Sequence, residues 1–140
     1  MIEFNFETDF EIKNAVELQK WISEIIISEG YELGEILYVF CNDEYLYKLN
    51  VEYLSHDTLT DIISFDYKVG KQLNGEIYIS VERVAENAKD FKTNFEDELH
   101  RVMIHGILHF CGYKDKSDSE EIAMRKKEDE SLYKLQAFNL

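Results

Sequence analysis

The chain has 140 residues, of which 45% are hydrophobic and 14% aromatic, so it can build one domain's core and is not globally disordered. Its 29 acidic and 15 basic residues give a net charge of −14, which excludes non-specific coating of nucleic acid or anionic membranes. Two cysteines are too few for a disulfide scaffold and suit a reducing compartment. The acidic start lacks the basic region of a signal peptide, and no apolar run could cross a bilayer. We expect one cytoplasmic domain over 1–140, without a membrane partner.

Hydrophobic periodicity predicts alternating strands and helices in the first half of the chain. Apolar alternation over 2–6 indicates a strand, and helical spacing of apolar residues over 12–26 indicates a helix that Gly30 ends. The short apolar run 36–40 is typical of a buried central strand. A short helix over about 42–51 follows, with the Asn or Asp at its start as the cap.

The second half predicts two more strands and three helices. The strands cover 62–65 and 77–79, and a helix over about 80–91 comes next. Capping-box patterns at 93–96 and 117–120 begin the last two helices. The apolar residues expected to face inward from the last helix are Ile122, Leu132 and Leu135. The predicted class is α+β, a small mixed four-stranded sheet packed with four to five helices.

The candidate chemistry is concentrated in the segment 105–115, HGILHFCGYKD. Residues four apart share a helix face, so the imidazoles of His105 and His109 can converge on one ion. Gly112 can adopt the left-handed conformation that ends a helix, which would turn Asp115 toward both rings. Two neutral nitrogens, one carboxylate and an open fourth position form a catalytic zinc set. We interpret the three side chains as ligands of one divalent cation, zinc being the expected metal, whose bound water has a pKa of about 7.

An alternative without a metal stays open, because a histidine pair alone is a weak motif. Two amphipathic histidines on a half-buried helix can instead pair with carbonyl or carboxylate groups. Asp115 can equally cap the last helix, a position where Asp is common. The glycine stop and the carboxylate three residues later favour the metal site. His100 falls on the opposite side of the helix from His105 and is excluded as a ligand.

The segment 105–115 resembles the signature H-G-x-L-H-x-x-G-Y-D-H of the YbeY family of metal-dependent endoribonucleases. Three upstream blocks, LNVEY at 49–53, TDIISF at 60–65 and GEIYI at 75–79, are similar to the family's L-N-x-x-Y, T-D-V-L-S-F and G-D-I-x-I. The resemblance covers about 36–135 and implies a zincin-like, metal-bearing helix. It also implies a single-strand-specific endoribonuclease in 16S rRNA 3′-end maturation and ribosome quality control. The implied partners are single-stranded RNA, the small ribosomal subunit and its assembly proteins.

The chain departs from the family pattern at the proposed site. Asp115 stands where the family has a third histidine ligand, and Lys114 stands where it has Asp. The first change is conservative, because carboxylate is an ordinary zinc ligand. Leu54 replaces an arginine that the resemblance assigns to RNA binding or catalysis. That change removes a cation expected near the scissile phosphate and bears on substrate handling more than on fold.

Two other functions remain to be weighed. Zinc proteases share the spacing of the two histidines, but they carry a general-base Glu where this chain has Gly106, which disfavours a metallopeptidase. A non-catalytic, metal-stabilised ribosome-assembly factor is the main alternative, and Leu54 and the net charge of −14 favour it. For RNA cleavage, the nucleophile can be metal-bound hydroxide or the substrate's own 2′-OH.

Possible RNA contacts surround the third proposed ligand. Lys114 and Lys116 flank Asp115 and, with the metal, can form a local positive region that partly replaces the missing arginine. The alternative is that they are ordinary surface lysines. Tyr113 can stack on a base or pack at the helix end. The basic run 125–127 is expected to be a solvated helix face.

Overall fold

The computed structural model describes residues 1–54 and 60–138. Within these residues there are four strands, five α-helices and a final 3-10 turn. In chain order they are β1 Ile2–Phe6, α1 Ala15–Ser28, β2 Glu32–Cys41, α2 Asp43–Leu54, β3 Ile62–Asp66, β4 Gln72–Ser80, α3 Val81–Asp90, α4 Phe95–Phe110, α5 Asp118–Leu135 and the turn Gln136–Phe138. The predicted α+β class is confirmed. None of the helices in 1–54 and 60–138 is long and apolar enough to span a membrane.

The sheet has the strand order β1-β2-β4-β3. β1, β2 and β4 are parallel neighbours, whereas β3 runs antiparallel to β4, so the sheet is mixed as predicted. β2 pairs with a strand on each of its edges. Its second half is buried on both faces, because helices cover the sheet on both sides. β3 forms an edge and places its start, Ile62, opposite Ile79 of β4.

The main core lies between one face of the sheet and the helices α1, α4 and α5. Ile36, Tyr38 and Phe40 of β2 point into it and are no more than 1% exposed. The hydroxyl of Tyr38 donates to the carbonyl of Met103 in α4 at 2.8 Å, so a strand and the central helix are joined by a buried hydrogen bond. On the opposite face, α2 covers a smaller apolar cluster at the β3 side of the sheet.

Two glycines allow α4 to lie directly against the sheet. A Cβ on Gly75 of β4 would lie 2.6 Å from Cζ of Phe110 and 2.7 Å from the carbonyl oxygen of Phe65. A Cβ on Gly106 of α4 would lie 3.0 Å from Cδ1 of Ile77 and 3.1 Å from Cδ1 of Ile62. Any side chain at position 106 would therefore enter the apolar contact between α4 and the sheet.

The helix ends largely follow the predicted caps. Ser117 and Glu120 form the predicted capping box of α5. α4 begins one residue later than predicted, because Asn94 is its cap and accepts from the backbone N–H of Asp97 at 2.8 Å. Gly112 has φ of 99°, in the left-handed region, and follows directly on the C-cap of α4.

The prediction that Ile122 of α5 faces the core is wrong. Ile122 is 70% exposed, whereas Leu135 is buried and Leu132 is half-buried. The stripe of α5 that is buried consists of Met124, Glu128, Ser131 and Leu135. Two of its members are polar and find partners inside the protein, so the apolar pattern alone assigns the wrong face.

We expect Gly75→Ala to lower the free energy of unfolding by roughly 1–3 kcal/mol, because the added methyl group overlaps the Phe110 ring and the Phe65 carbonyl. Urea unfolding measures the free energy of unfolding of four proteins: the parent, the single variants Gly75→Ala and Phe110→Leu, and the double variant. The cost of Gly75→Ala should be smaller in the Phe110→Leu background. Equal costs in both backgrounds would contradict the close approach.

Candidate metal centre

The two histidines lie one turn apart near the end of α4, and the carboxylate comes from the loop that follows. His105 and His109 share one helix face, which lies beside the sheet contact of Gly106. The backbone N–H groups of Gly112 and Tyr113 donate back to the carbonyls of His109 and Leu108, both at 3.0 Å, which reverses the chain after α4. This reversal places Asp115 beside both rings.

Three electron-pair donor atoms converge there on one point. Nε2 of His105 and Nε2 of His109 are 3.0 Å apart, and Oδ2 of Asp115 is 3.2 Å from each. In a tetrahedral zinc site with bonds of about 2.0–2.1 Å, neighbouring ligand atoms lie about 3.3–3.4 Å apart. The observed triangle is therefore nearly the size that one face of such a tetrahedron requires. His105, His109 and Asp115 are a group that can hold a metal ion.

The outer nitrogens of both rings bond to groups that can only accept. Nδ1 of His105 donates to Oε2 of Glu128 at 2.6 Å, and Nδ1 of His109 donates to the carbonyl oxygen of Tyr113 at 3.0 Å. A neutral imidazole with its proton on Nδ1 has a lone pair on Nε2. Two lone pairs and a carboxylate oxygen then face one another without a proton between them, an arrangement that a cation would stabilise.

Glu128 of α5 is a residue of the candidate centre that the sequence did not predict. Its side chain is 5% exposed and receives a charge-assisted hydrogen bond from Arg101 at 2.9 Å in addition to the one from His105. Burial opposes its ionisation, but the hydrogen bonds from His105 and Arg101 outweigh burial and lower the pKa of Glu128. One feature of the sequence could have indicated this position. Glu128 lies four residues after the apolar Met124, so the two share the helix face that packs against α4.

The pKa of His105 is raised. Burial works against the charged ring, but the hydrogen bond and charge of Glu128, followed by the charges of Asp115 and Asp61, outweigh burial. Protonation of His105 therefore stabilises the metal-free fold at low pH, and this stabilisation is lost as pH rises through the raised pKa. A metal ion that needs the Nε2 lone pair competes with that proton.

The candidate centre opens to solvent on one side. His105, His109 and Asp115 have side chains that are 21%, 30% and 37% exposed. A cleft of about 800 Å³ is lined by His105, Asp115 and Glu128 together with Arg125 and neighbouring residues of α5. A bound ion would thus keep a position that a substrate can reach.

The predicted RNA contacts have different surroundings. Lys114 and Lys116 are exposed, and neither forms an ion pair with a residue in 1–54 or 60–138. The hydroxyl of Tyr113 donates to Glu29 at 2.8 Å and its ring packs against the main core, which matches the packing alternative for this residue. In the basic run 125–127, Lys127 pairs with Glu29 at 3.1 Å, so the run is not uniformly solvated.

Fold and site define a class: a small α+β protein whose sheet-packed helix carries two histidines for a candidate metal centre, completed by a carboxylate after a glycine turn. The family model described as Endoribonuclease YbeY matches residues 3–136. The chain belongs to this family, so the resemblance inferred from its sequence motifs is confirmed.

Curated relatives and a solved structure agree with that assignment. An Endoribonuclease YbeY of Flavobacterium psychrophilum is 61% identical over 132 residues, which cover 94% of this chain and 94% of that protein. Another of the same name, from Christiangramia forsetii, is 54% identical over 131 residues, 94% of this chain and 92% of that protein. The solution structure of TM1509 from Thermotoga maritima is similar with a TM-score of 0.69 and 27% identity, covering 98% of this chain and 90% of that one. The relatives' names agree with the endoribonuclease prediction.

We expect Glu128→Gln to lower the pKa of His105 in the metal-free protein, because the neutral amide no longer favours the charged ring while burial still opposes it. Histidine ring NMR signals followed against pH measure the change. Asp129→Asn is the matched control, since Asp129 accepts a hydrogen bond from Arg101 at 2.8 Å but does not hydrogen-bond to His105. An unchanged pKa of His105 in Glu128→Gln would show that Glu128 does not govern this ring.

Proposed function

We propose that the protein is a metal-dependent endoribonuclease that cuts single-stranded RNA. The observation that carries the proposal is the convergence of His105, His109 and Asp115 at an open cleft, with both Nδ1 atoms bonded to acceptors. Membership in a family whose relatives are named endoribonucleases supplies the substrate class. A ring nitrogen oriented by a carboxylate on its far side is a recurrent arrangement in metal enzymes.

The proposed metal is one Zn²⁺ ion, held by His105, His109 and Asp115. Two imidazole nitrogens and a carboxylate oxygen suit zinc, and the observed spacing fits its bond lengths. When bound, the ion supplies an acidified water and neutralises charge on phosphoryl oxygens. Glu128 accepts from Nδ1–H of His105, and the carbonyl of Tyr113 accepts from Nδ1–H of His109, so both Nε2 atoms of the neutral rings carry lone pairs.

A metallopeptidase is not proposed, because the chain lacks a general base where such enzymes carry one. Position 106 is a glycine, and a Cβ there would lie 3.1 Å from Cδ1 of Ile62 and 3.0 Å from Cδ1 of Ile77, so the contact with the sheet leaves little room for the glutamate that these enzymes carry. Phosphodiester cleavage does not depend on a carboxylate at that position. This asymmetry favours RNA over peptide as the substrate.

The biological setting that we propose is the one that the family resemblance implied. The protein would act in the cytoplasm, as a single domain over 1–140, on the 3′ end of 16S rRNA and in ribosome quality control. The small ribosomal subunit and its assembly proteins would present the RNA. Exposed Lys114 and Lys116 would add local positive charge beside the metal, which a protein of net charge −14 needs to bind a polyanion. The contacts of Tyr113 favour a packing role for this residue.

A non-catalytic assembly factor is the second candidate. The specific observations that favour it are Leu54 in place of the family arginine and the strong negative charge. Such a factor would use the metal to hold the end of α4 and the loop to Asp115 together, without cutting RNA. The two functions differ in one measurable property, which is chelator-sensitive cleavage.

We expect the parent protein to cut a fluorescent single-stranded RNA, and we expect a chelator to abolish the cleavage. His105→Ala and Asp115→Asn should each reduce bound zinc well below one per chain, because each removes one of three proposed ligands. Asp118→Asn is the matched control, since Asp118 lies three residues further on, exposed, in the first turn of α5. Elemental analysis and gel electrophoresis of the RNA provide the two readouts.

Each outcome separates the candidates. Full zinc occupancy with no cleavage in the parent would support the assembly factor. Full zinc occupancy in His105→Ala would rule out the proposed site, and full zinc with full activity in Asp115→Asn would remove Asp115 from it.

The lysine contacts have their own test. We expect the double variant Lys114→Ala, Lys116→Ala to bind single-stranded RNA with a shallower salt dependence, the log–log slope falling by roughly 1.4 because each phosphate contact contributes about 0.7. The control is Lys20→Ala, Lys134→Ala, which removes two exposed lysines elsewhere and the same charge. Indistinguishable slopes for the two double variants would show that Lys114 and Lys116 are ordinary surface lysines.

A further inference from the structure

A second cavity lies beside the metal centre, along the first half of α4 and against α5. Its volume is about 620 Å³, and its lining includes Glu98, Arg101 and Arg125. Arg125 also lines the cleft that contains His105 and Asp115. The two spaces therefore share one guanidinium group, which stands between them.

Glu98 is the unusual residue of this cavity. It is 5% exposed, and its carboxylate makes no hydrogen bond or ion pair with any residue in the described part of the chain. Burial raises the pKa of Glu98 and the charge of Asp61 adds to this effect, whereas the charges of Arg101 and Arg125 partly oppose it. No hydrogen bond from the described residues occupies the carboxylate oxygens of Glu98, so they are available to a ligand that brings N–H groups into the cavity.

The spacing between Glu98 and the metal centre suits one nucleotide. Glu98 and His105 are seven residues apart on α4, so they lie on the same face and about 10.5 Å apart along the helix axis. This distance is comparable with the span from a phosphate to the far edge of its own base. Arg101 lies between them on the helix and is occupied by Glu128 and Asp129.

Arg125 lies at the border of the two spaces and has N–H groups that are available to a ligand. Its side chain is 58% exposed, and its nearest carboxylate oxygen, on Glu128, is 3.7 Å away, too far for a hydrogen bond. Lys127, by contrast, is engaged by Glu29 and Glu130. A guanidinium that is ion-paired to Glu128 without a hydrogen bond is still suited to bind a phosphate in the fork geometry that arginine offers.

We propose that this cavity is a nucleobase subsite: it takes the base next to the scissile phosphate, Glu98 accepts hydrogen bonds from the base, and Arg125 binds the phosphate. The inference rests on the proposed function. Guanine is the preferred base, because its N1–H and N2 amino group are adjacent donors that match the two oxygens of a carboxylate. Adenine, cytosine and uracil each offer Glu98 only one such group on that edge. Single-stranded RNA can present its base in this way, since its bases are unstacked and accessible.

The test uses the four nucleoside monophosphates GMP, AMP, CMP and UMP, titrated by calorimetry into the protein as purified. All four share the phosphate, so differences between them report the base. We expect GMP to bind about tenfold more tightly than AMP. Glu98→Gln should remove this preference, whereas Glu86→Gln should keep it, because Glu86 is exposed on α3, pairs with Lys89 and lines neither space. Arg125→Gln should weaken all four nucleotides by a similar factor and leave the GMP preference intact, unlike the control Lys134→Gln.

The outcomes are distinct. Equal affinity of the parent for GMP and AMP would refute the subsite, and this result does not require Glu98→Gln to fold. A preference for GMP that persists in Glu98→Gln would also refute it. A parent that cuts RNA but binds all four nucleotides equally would refute this inference and leave the endoribonuclease standing. A parent that prefers GMP in a Glu98-dependent way but never cuts RNA would refute the proposed cleavage and keep the subsite.

Discussion

Three electron-pair donors face one another within 3.2 Å at the end of α4, and the surrounding structure holds them there. The acceptors on the far side of each ring fix this arrangement, because Glu128 and the Tyr113 carbonyl keep both protons on Nδ1. Without those acceptors each ring could carry its proton on Nε2 instead, which would weaken the binding of a cation. The whole functional proposal depends on this convergence.

The fold supplies the rigidity that the convergence needs. α4 is fixed against the sheet by two glycine contacts and by the hydrogen bond from Tyr38, so its exposed face has a defined direction. α5 then packs on α4 and brings Glu128 to His105, while Arg101 balances its charge. Burial of Glu128 would be costly without those two partners. The contact with the apolar sheet and the polar centre are therefore built on neighbouring faces of one helix.

Features set by local geometry could be predicted from the sequence. Helical spacing places His105 and His109 on one face, and Gly112 explains the turn toward Asp115, since both follow from backbone geometry within eleven residues. The strands and helices were predicted in their observed order for the same reason. The structure brings the three side chains together, and their role as metal ligands stays a prediction.

Features that depend on packing between distant elements could not be predicted. Glu128 is 23 residues from His105, and only the docking of α5 on α4 joins them. The same docking places polar residues on the buried stripe of α5, which is why Ile122 was assigned the wrong face. Arg125 belonged to a run interpreted as a solvated face, because nothing local shows that a cleft lies beside it.

X-ray absorption at the zinc edge of the protein as purified tests the central claim most directly. The account predicts two imidazole nitrogens with oxygen ligands, all at about 2.0–2.2 Å, from His105, His109, Asp115 and a water. A spectrum dominated by sulfur at about 2.3 Å, or one without imidazole scattering, would contradict it.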